Sequence, residues 1–173
     1  MADKEFRFEL KTLAEDGSFE GFGSTYHNVD LQGDRILPGA FTKSLQENGN
    51  EVPLLWHHKD AIGVANLTDT PKGLMVSGKL VLAVEKAREA YALLKARAVR
   101  GLSIGYSGLK SRYASDGVRE LLEVRLAEMS LTPVPANPLA AVTAVKSAEP
   151  DIREQQVKAF RAVLAECRKS FVV

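Results

Sequence analysis

Cysteine is almost missing from this chain: Cys167 stands alone in 173 residues. It cannot close an internal disulfide, and no Cys cluster offers a zinc site. Net charge is nearly absent too, since 23 Lys and Arg against 22 Asp and Glu leave only +1. No basic stripe or acidic tail breaks the balance, so binding to nucleic acid or to a membrane surface has no electrostatic support. No uncharged apolar run approaches the ~20 residues that span a bilayer. The opening "MADKEFRFEL" lacks the apolar stretch of a secretory leader. Repeats and low-complexity tracts are missing as well. What remains is an expected soluble protein of a reducing cytoplasm, with no metal and no cofactor.

What the chain does contain is ordinary globular material, 45% hydrophobic and 26% charged, at a length that suits one domain with a real core. Short strands dominate. "FRFEL" alternates apolar and charged residues, and "FEGFGSTY" (19–26) reads as a glycine-interrupted strand of the kind that bends a sheet. "VPLLWHH", "IGVANL" and "GLMVSGKLVL" follow as further strands. Later come "LSIGYSGL", "VRELLEVRL", "AEMSLTPV" and "AVTAV". Helices are fewer. Residues 39–48 are bracketed by Pro38-Gly39 and Gly49, and 84–100 is rich in helix formers with Ala87, Tyr91, Leu94 and Ala98 at helical spacing. A last amphipathic helix is expected beyond Pro150, its apolar side marked by Ile152, Val157, Phe160, Val163 and Leu164. Many strands with two or three helices, and no strict βαβ alternation, predict an α+β or barrel-like, mainly β domain.

Gly101-Leu102-Ser103-Ile104-Gly105 matches G-x-S-x-G, the nucleophile elbow of α/β-hydrolases. That fold needs strand, sharp turn and helix around the serine, with the histidine later in the chain. Here a helix precedes the serine, which sits inside a predicted strand. The three histidines, His27, His57 and His58, all come before it. The elbow is therefore excluded.

The serine keeps its interest. Alternation puts Leu102, Ile104 and Tyr106 on one face of the strand and Ser103, Gly105 and Ser107 on the other, read here as an open face. His57 and His58 end an apolar strand. If that strand runs through 58, the two rings point opposite ways and only one can serve. In "AEMSLTPV", Glu128, Ser130 and Thr132 oppose Ala127, Met129 and Leu131. A glutamate there costs desolvation unless it is paired. Serine, histidine and carboxylate are what acyl transfer requires: a nucleophile, a base that later returns the proton, and an anion that fixes the base's tautomer. Each residue has an ordinary structural explanation as well, and spacing alone does not choose between them.

Four stretches in order change the weighting: "FEGFGSTYHNVDLQGDRILPGAF", "VPLLWHHKDAIG", "GLSIGY" and "LAEMSLTPVPANP". Together they resemble the prohead maturation protease family of tailed bacteriophages, the HK97-type serine peptidases, over roughly residues 19–145. The resemblance implies a closed antiparallel β-barrel with surrounding helices, similar to the herpesvirus assemblin proteases. It also implies a serine endopeptidase with Ser103 as nucleophile, His58 as base and Glu128 as the acidic member. Its implied substrates are the scaffold or the amino-terminal segment of the major capsid protein, and the protease itself. Its implied place is inside the assembling prohead in host cytoplasm. The expected organisation is a protease barrel at 1–146 and a carboxy-terminal helical tail at 147–173, with a homo-oligomer left open.

Two competing readings stand beside this one. The chain could be a non-catalytic prohead component that docks on capsid or scaffold. Alternatively, Lys95 or Lys110 could serve as the base of a Ser-Lys protease, although neither lies in an evidently apolar pocket that would depress its pKa. Oxyanion donors are expected among backbone amides of residues 132–137.

Overall fold

A computed structural model describes residues 16–144 of the chain. The "FRFEL" strand and the carboxy-terminal helix, and with it the proposed division at 146, fall outside those residues. Within them, β1 (Ser18–Thr25) pairs antiparallel with β5 (Gly73–Leu80). β5 pairs with β4 (Asp60–Thr70), and β4 with β3 (Glu51–Trp56), all antiparallel. The bend expected of "FEGFGSTY" is real, since the β1–β5 register shifts between Phe22 and Ser24.

β7 (Arg119–Thr132) organises the rest. β6 (Gly101–Tyr113) runs antiparallel along its whole length. On its other side β3 meets it in parallel at Met129–Leu131, and β2 (Asp34–Ile36) meets it in parallel at Arg119–Leu121. Between those two short partners, β7's edge is covered by the approach to α1 (Thr42–Asn48) and by α1 itself. The Val124 N–H donates to the Ala40 carbonyl at 3.0 Å, and the Leu126 N–H to Ser44 Oγ at 2.9 Å. α2 (Glu85–Lys95) turns Ala87, Ala90, Tyr91 and Leu94 inward, against β3, β4 and β5. Phe19, Leu54, Leu67, Val76, Met129 and Leu131 fill the concave side of the sheet, each no more than 1% exposed.

The mainly β expectation holds, but the closed antiparallel barrel does not. The sheet order is β2-β7-β3-β4-β5-β1-β8 with β6 on β7, a curled, open half-barrel with two parallel pairings. β8 (Val142–Ala144) joins β1, yet it reaches β6 only through an isolated bridge between Gly101 and Ala141. The cause lies in "TPVPANP". Pro133, Pro135 and Pro138 have no amide to donate, so this stretch cannot extend a ladder along β6. A seam stays open between β6 and the end of β1.

Two elements differ from expectation in extent. "VRELLEVRL" and "AEMSLTPV" form one strand, because β7 carries the extra residues of register shifts and does not break. Its buried positions change parity at the two shifts where β7 holds the extra residue: Leu121, then Val124 and Leu126, then Met129 and Leu131. The helix expected over 84–100 ends at Lys95. There the Arg97 N–H donates to the Leu94 carbonyl and the Ala98 N–H to the Leu93 carbonyl, with Arg97 at φ 59°. That is a Schellman stop built without glycine.

Candidate active site

The register of β6 on β7 fixes half of the site. Ser103 lies opposite Ser130, and Gly105 opposite Glu128. Directly opposed residues of an antiparallel pair share a face, with Cβ atoms about 5 Å apart. Ser103, Ser130 and Glu128 therefore stand together, behind the core face of Leu102, Met129 and Leu131. That side is not the open face expected from alternation: Ser103 is 8% exposed and Ser130 fully buried. Gly105 has a specific task there. A Cβ at that position would sit 2.7 Å from Glu128 Cδ, so only glycine leaves room for the carboxylate.

The other half comes from the turn after β3. The strand ends at Trp56, and His57 and His58 do not continue it. Both adopt left-handed backbone, φ 51° and 61°, and the Lys59 N–H closes the turn on the Trp56 carbonyl at 3.0 Å. Positive φ at both central positions is the signature of a type I′ hairpin turn, usually built with Asn and Gly. The alternating-face argument for the histidines thus gives way to turn geometry. The His57 N–H donates to the Leu131 carbonyl at 3.1 Å, and its ring stands edge-on against Trp56, centroids 4.4 Å apart. The His58 N–H donates to Ser130 Oγ at 3.0 Å, and its Nδ1 lies 2.6 Å from Glu128 Oε1.

Glu128 is held at both oxygens, since the Ser130 hydroxyl donates to Oε2 at 2.8 Å. Ser130 thereby links the turn to the carboxylate, a role that the sequence reading missed. Its signal was present, because it shares strand parity with Glu128 two residues away. The carboxylate is 12% exposed and the His58 ring 45%, so the ring stays reachable from solvent.

Of the expected trio, the structure brings His58 and Glu128 into contact and sets Ser103 one strand across. Ser103 Oγ makes no hydrogen bond among the described residues. It borders a pocket at the open seam together with Ser24, Asp30, Tyr106, Ala136 and Asn137. The stretch 132–137, expected to supply oxyanion donors, therefore adjoins the serine. Burial and the charge of Asp34 push the Tyr106 hydroxyl up to about 12, so it remains a neutral donor.

The alternative bases are engaged elsewhere. Lys110 pairs with Glu123, and the Lys95 ammonium lies 4.5 Å from the Tyr91 ring centroid. His27 packs edge-on against Tyr26. Among the described residues no three His, Cys, Asp or Glu side chains gather to hold a metal ion.

Two known proteins are similar to this chain. The chain is 33% identical over 139 residues to the prohead protease of Enterobacteria phage HK97, which is 77% of this chain and 62% of that protein. It is 34% identical over 116 residues to the capsid polyprotein of Pseudomonas phage PAJU2, covering 61% of this chain and 17% of the polyprotein. The chain thus spans less than two thirds of either relative. No solved structure matches, so the expected likeness to assemblin has no structural counterpart. The profile described as caudovirus prohead serine protease matches residues 5–154. With most of its length inside that profile, the chain belongs to the caudovirus prohead serine protease family.

Proposed function

We propose that this chain is a serine endopeptidase of prohead maturation, with Ser103 as nucleophile, His58 as general base and Glu128 as its partner. The observation that carries the reading is the 2.6 Å contact between His58 Nδ1 and Glu128 Oε1. A carboxylate on Nδ1 holds the proton there and leaves the lone pair on Nε2, the tautomer that can accept a proton from a serine. Attack by Ser103 Oγ on a peptide carbonyl then transfers the hydroxyl proton to Nε2. The imidazolium that results is stabilised by Glu128, and its proton goes to the leaving amine. Water repeats the sequence to release the acyl group. In a site without substrate, the serine–histidine hydrogen bond is commonly long, and it tightens on binding.

The substrates on this reading are the scaffold or the amino-terminal segment of the major capsid protein, and the protease itself, inside the assembling prohead. The names of the two relatives, a prohead protease and a capsid polyprotein, support that assignment. The test is co-expression with the major capsid protein, followed by intact mass. The wild-type chain should shorten the capsid protein, and Ser103→Ala should leave it at full length. Shortening by Ser103→Ala at the wild-type rate would overturn the proposal.

A further inference from the structure

The open seam has a row of backbone groups waiting for a strand. At its closed end the Val142 N–H donates to the Arg100 carbonyl at 2.8 Å, and the Leu102 N–H to the Ala140 carbonyl at 3.0 Å. In a strand, alternate residues turn their backbone groups to the same edge, so the Leu102 carbonyl and the Ile104 N–H continue that row. Among the described residues β6 has no strand partner on this edge beyond Gly101. The edge passes Ser103. A buried strand edge with unpaired groups is costly, and an arriving peptide strand removes that cost.

Two further observations point to an occupant. Ser24, on the opposite wall of the seam, is 1% exposed, and its hydroxyl has no hydrogen-bond partner. Buried hydroxyls in that state are rare and mark a site where a ligand or water supplies the missing partner. The two loops that wall the pocket through Asp30, Gln32, Ala136 and Asn137 also carry exposed aliphatic residues. Leu31, Val134 and Leu139 are 68%, 73% and 62% exposed, and the loops are joined by the Leu31 N–H donating to the Ala136 carbonyl at 2.9 Å. Exposed aliphatic side chains on the loops that wall a polar pocket mark an interaction site.

We infer that the seam binds substrate as an extended strand added to β6 at Leu102–Tyr106, and that Leu31, Val134 and Leu139 select segments with apolar side chains near the scissile bond. The inference rests on the proposed protease reading and deepens it by naming the substrate class. Strand addition sets a peptide residue opposite Ser103, with its carbonyl beside the nucleophile.

Two measurements on the full chain test it separately from the chemistry. Labelling by a small alkyl fluorophosphonate needs the nucleophile, its base and the oxyanion donors, but no extended groove. Digestion of a proteome-derived peptide library, with the new termini read by mass spectrometry, needs the groove. Wild type should label at Ser103 and cleave with apolar residues enriched within three positions of the cut. Leu31→Asp with Leu139→Asp, both outside the 132–137 stretch, should label at the wild-type rate but lose that enrichment and cleave at least tenfold more slowly. An unchanged cleavage profile in the double variant, a wild-type profile without apolar enrichment, or labelling with no peptide cleavage would each overturn the inference. Failure to label Ser103 in the wild type would instead overturn the protease reading itself, and this inference with it.

Discussion

At the residue scale, the two adjacent histidines are separated by what their neighbours do. His57 spends its ring on Trp56, while His58 reaches Glu128. His58→Ala should therefore abolish capsid processing, and His57→Ala should retain most of it, as read by intact mass over a time course. Glu128→Gln should fall between, losing roughly a hundredfold or more, because an amide cannot offset the imidazolium charge. Ser130 acts through its neighbours, and its removal leaves the His58 N–H and Glu128 Oε2 each short of a partner. Lost bonds of that kind cost about 1–3 kcal/mol, so Ser130→Ala should lower kcat roughly ten- to a hundredfold with KM unchanged. Its pH–rate profile should also move, which a purely structural defect would not do. Gly105→Ala offers an independent check: a methyl group pressed on the carboxylate should cost roughly a hundredfold by misplacing it, while the protein stays folded. Ser103 and Glu128 were legible as strand residues, whereas His58, expected at a strand end, lies in the turn after β3. The assembly of the three was not legible, because a type I′ turn made of His57 and His58 carries none of the usual Asn-Gly signal.

At the element scale, the sequence marked strands well wherever period-two alternation ran unbroken, as in β5 and the start of β6. It misjudged ends. α2 seemed to run to Arg100 because no glycine announced its stop, and the left-handed residue turned out to be Arg97. Relieving that φ should help: Arg97→Gly should stabilise the protein by roughly 1 kcal/mol, seen as a higher urea midpoint at unchanged slope. β2 went unseen, since three residues are too few to show a period. β7 looked like two strands because each extra residue it carries swaps which parity is buried. Its far end is pinned by charge. Arg112 and then Arg35 hold the Glu120 carboxyl below the usual range, and Lys110 with Lys43 does the same for Glu123. Carboxyls depressed on folding stabilise above their unfolded pKa, about 4.3, and lose that contribution as pH falls through the folded value. Amide exchange at Ser111 and Arg112 should therefore accelerate, relative to the intrinsic rate, below about pH 4. Replacing Glu120 and Glu123 with Gln should remove that acid-dependent step.

At the scale of the whole molecule, composition and alternation pointed to a mainly β fold, and the family resemblance added closure. Closure fails because three prolines in seven residues, 132–138, deny β6 its last neighbour. Parallel contacts also lay beyond reach, since β2 and β3 pair with a strand that begins 83 residues after the end of β2 and 63 after the end of β3 (119 − 36 and 119 − 56). Such pairings form late, because long loops must close before they are rewarded. That order has a consequence for timing. β2, β3 and β6 all precede β7, and each waits for it as a partner, while Glu128 and Ser130 arrive on β7 itself. A growing chain is thus without the proposed catalytic carboxylate, and without the hydroxyl that anchors the histidine turn, until almost the whole described region has left the ribosome. Arrested nascent chains with β6 exposed but β7 still in the exit tunnel should not react with a fluorophosphonate, whereas those exposed beyond Ala144 should. On the proposed reading, in which the targets include the chain itself, strand order alone delays assembly of the site until β7 has emerged.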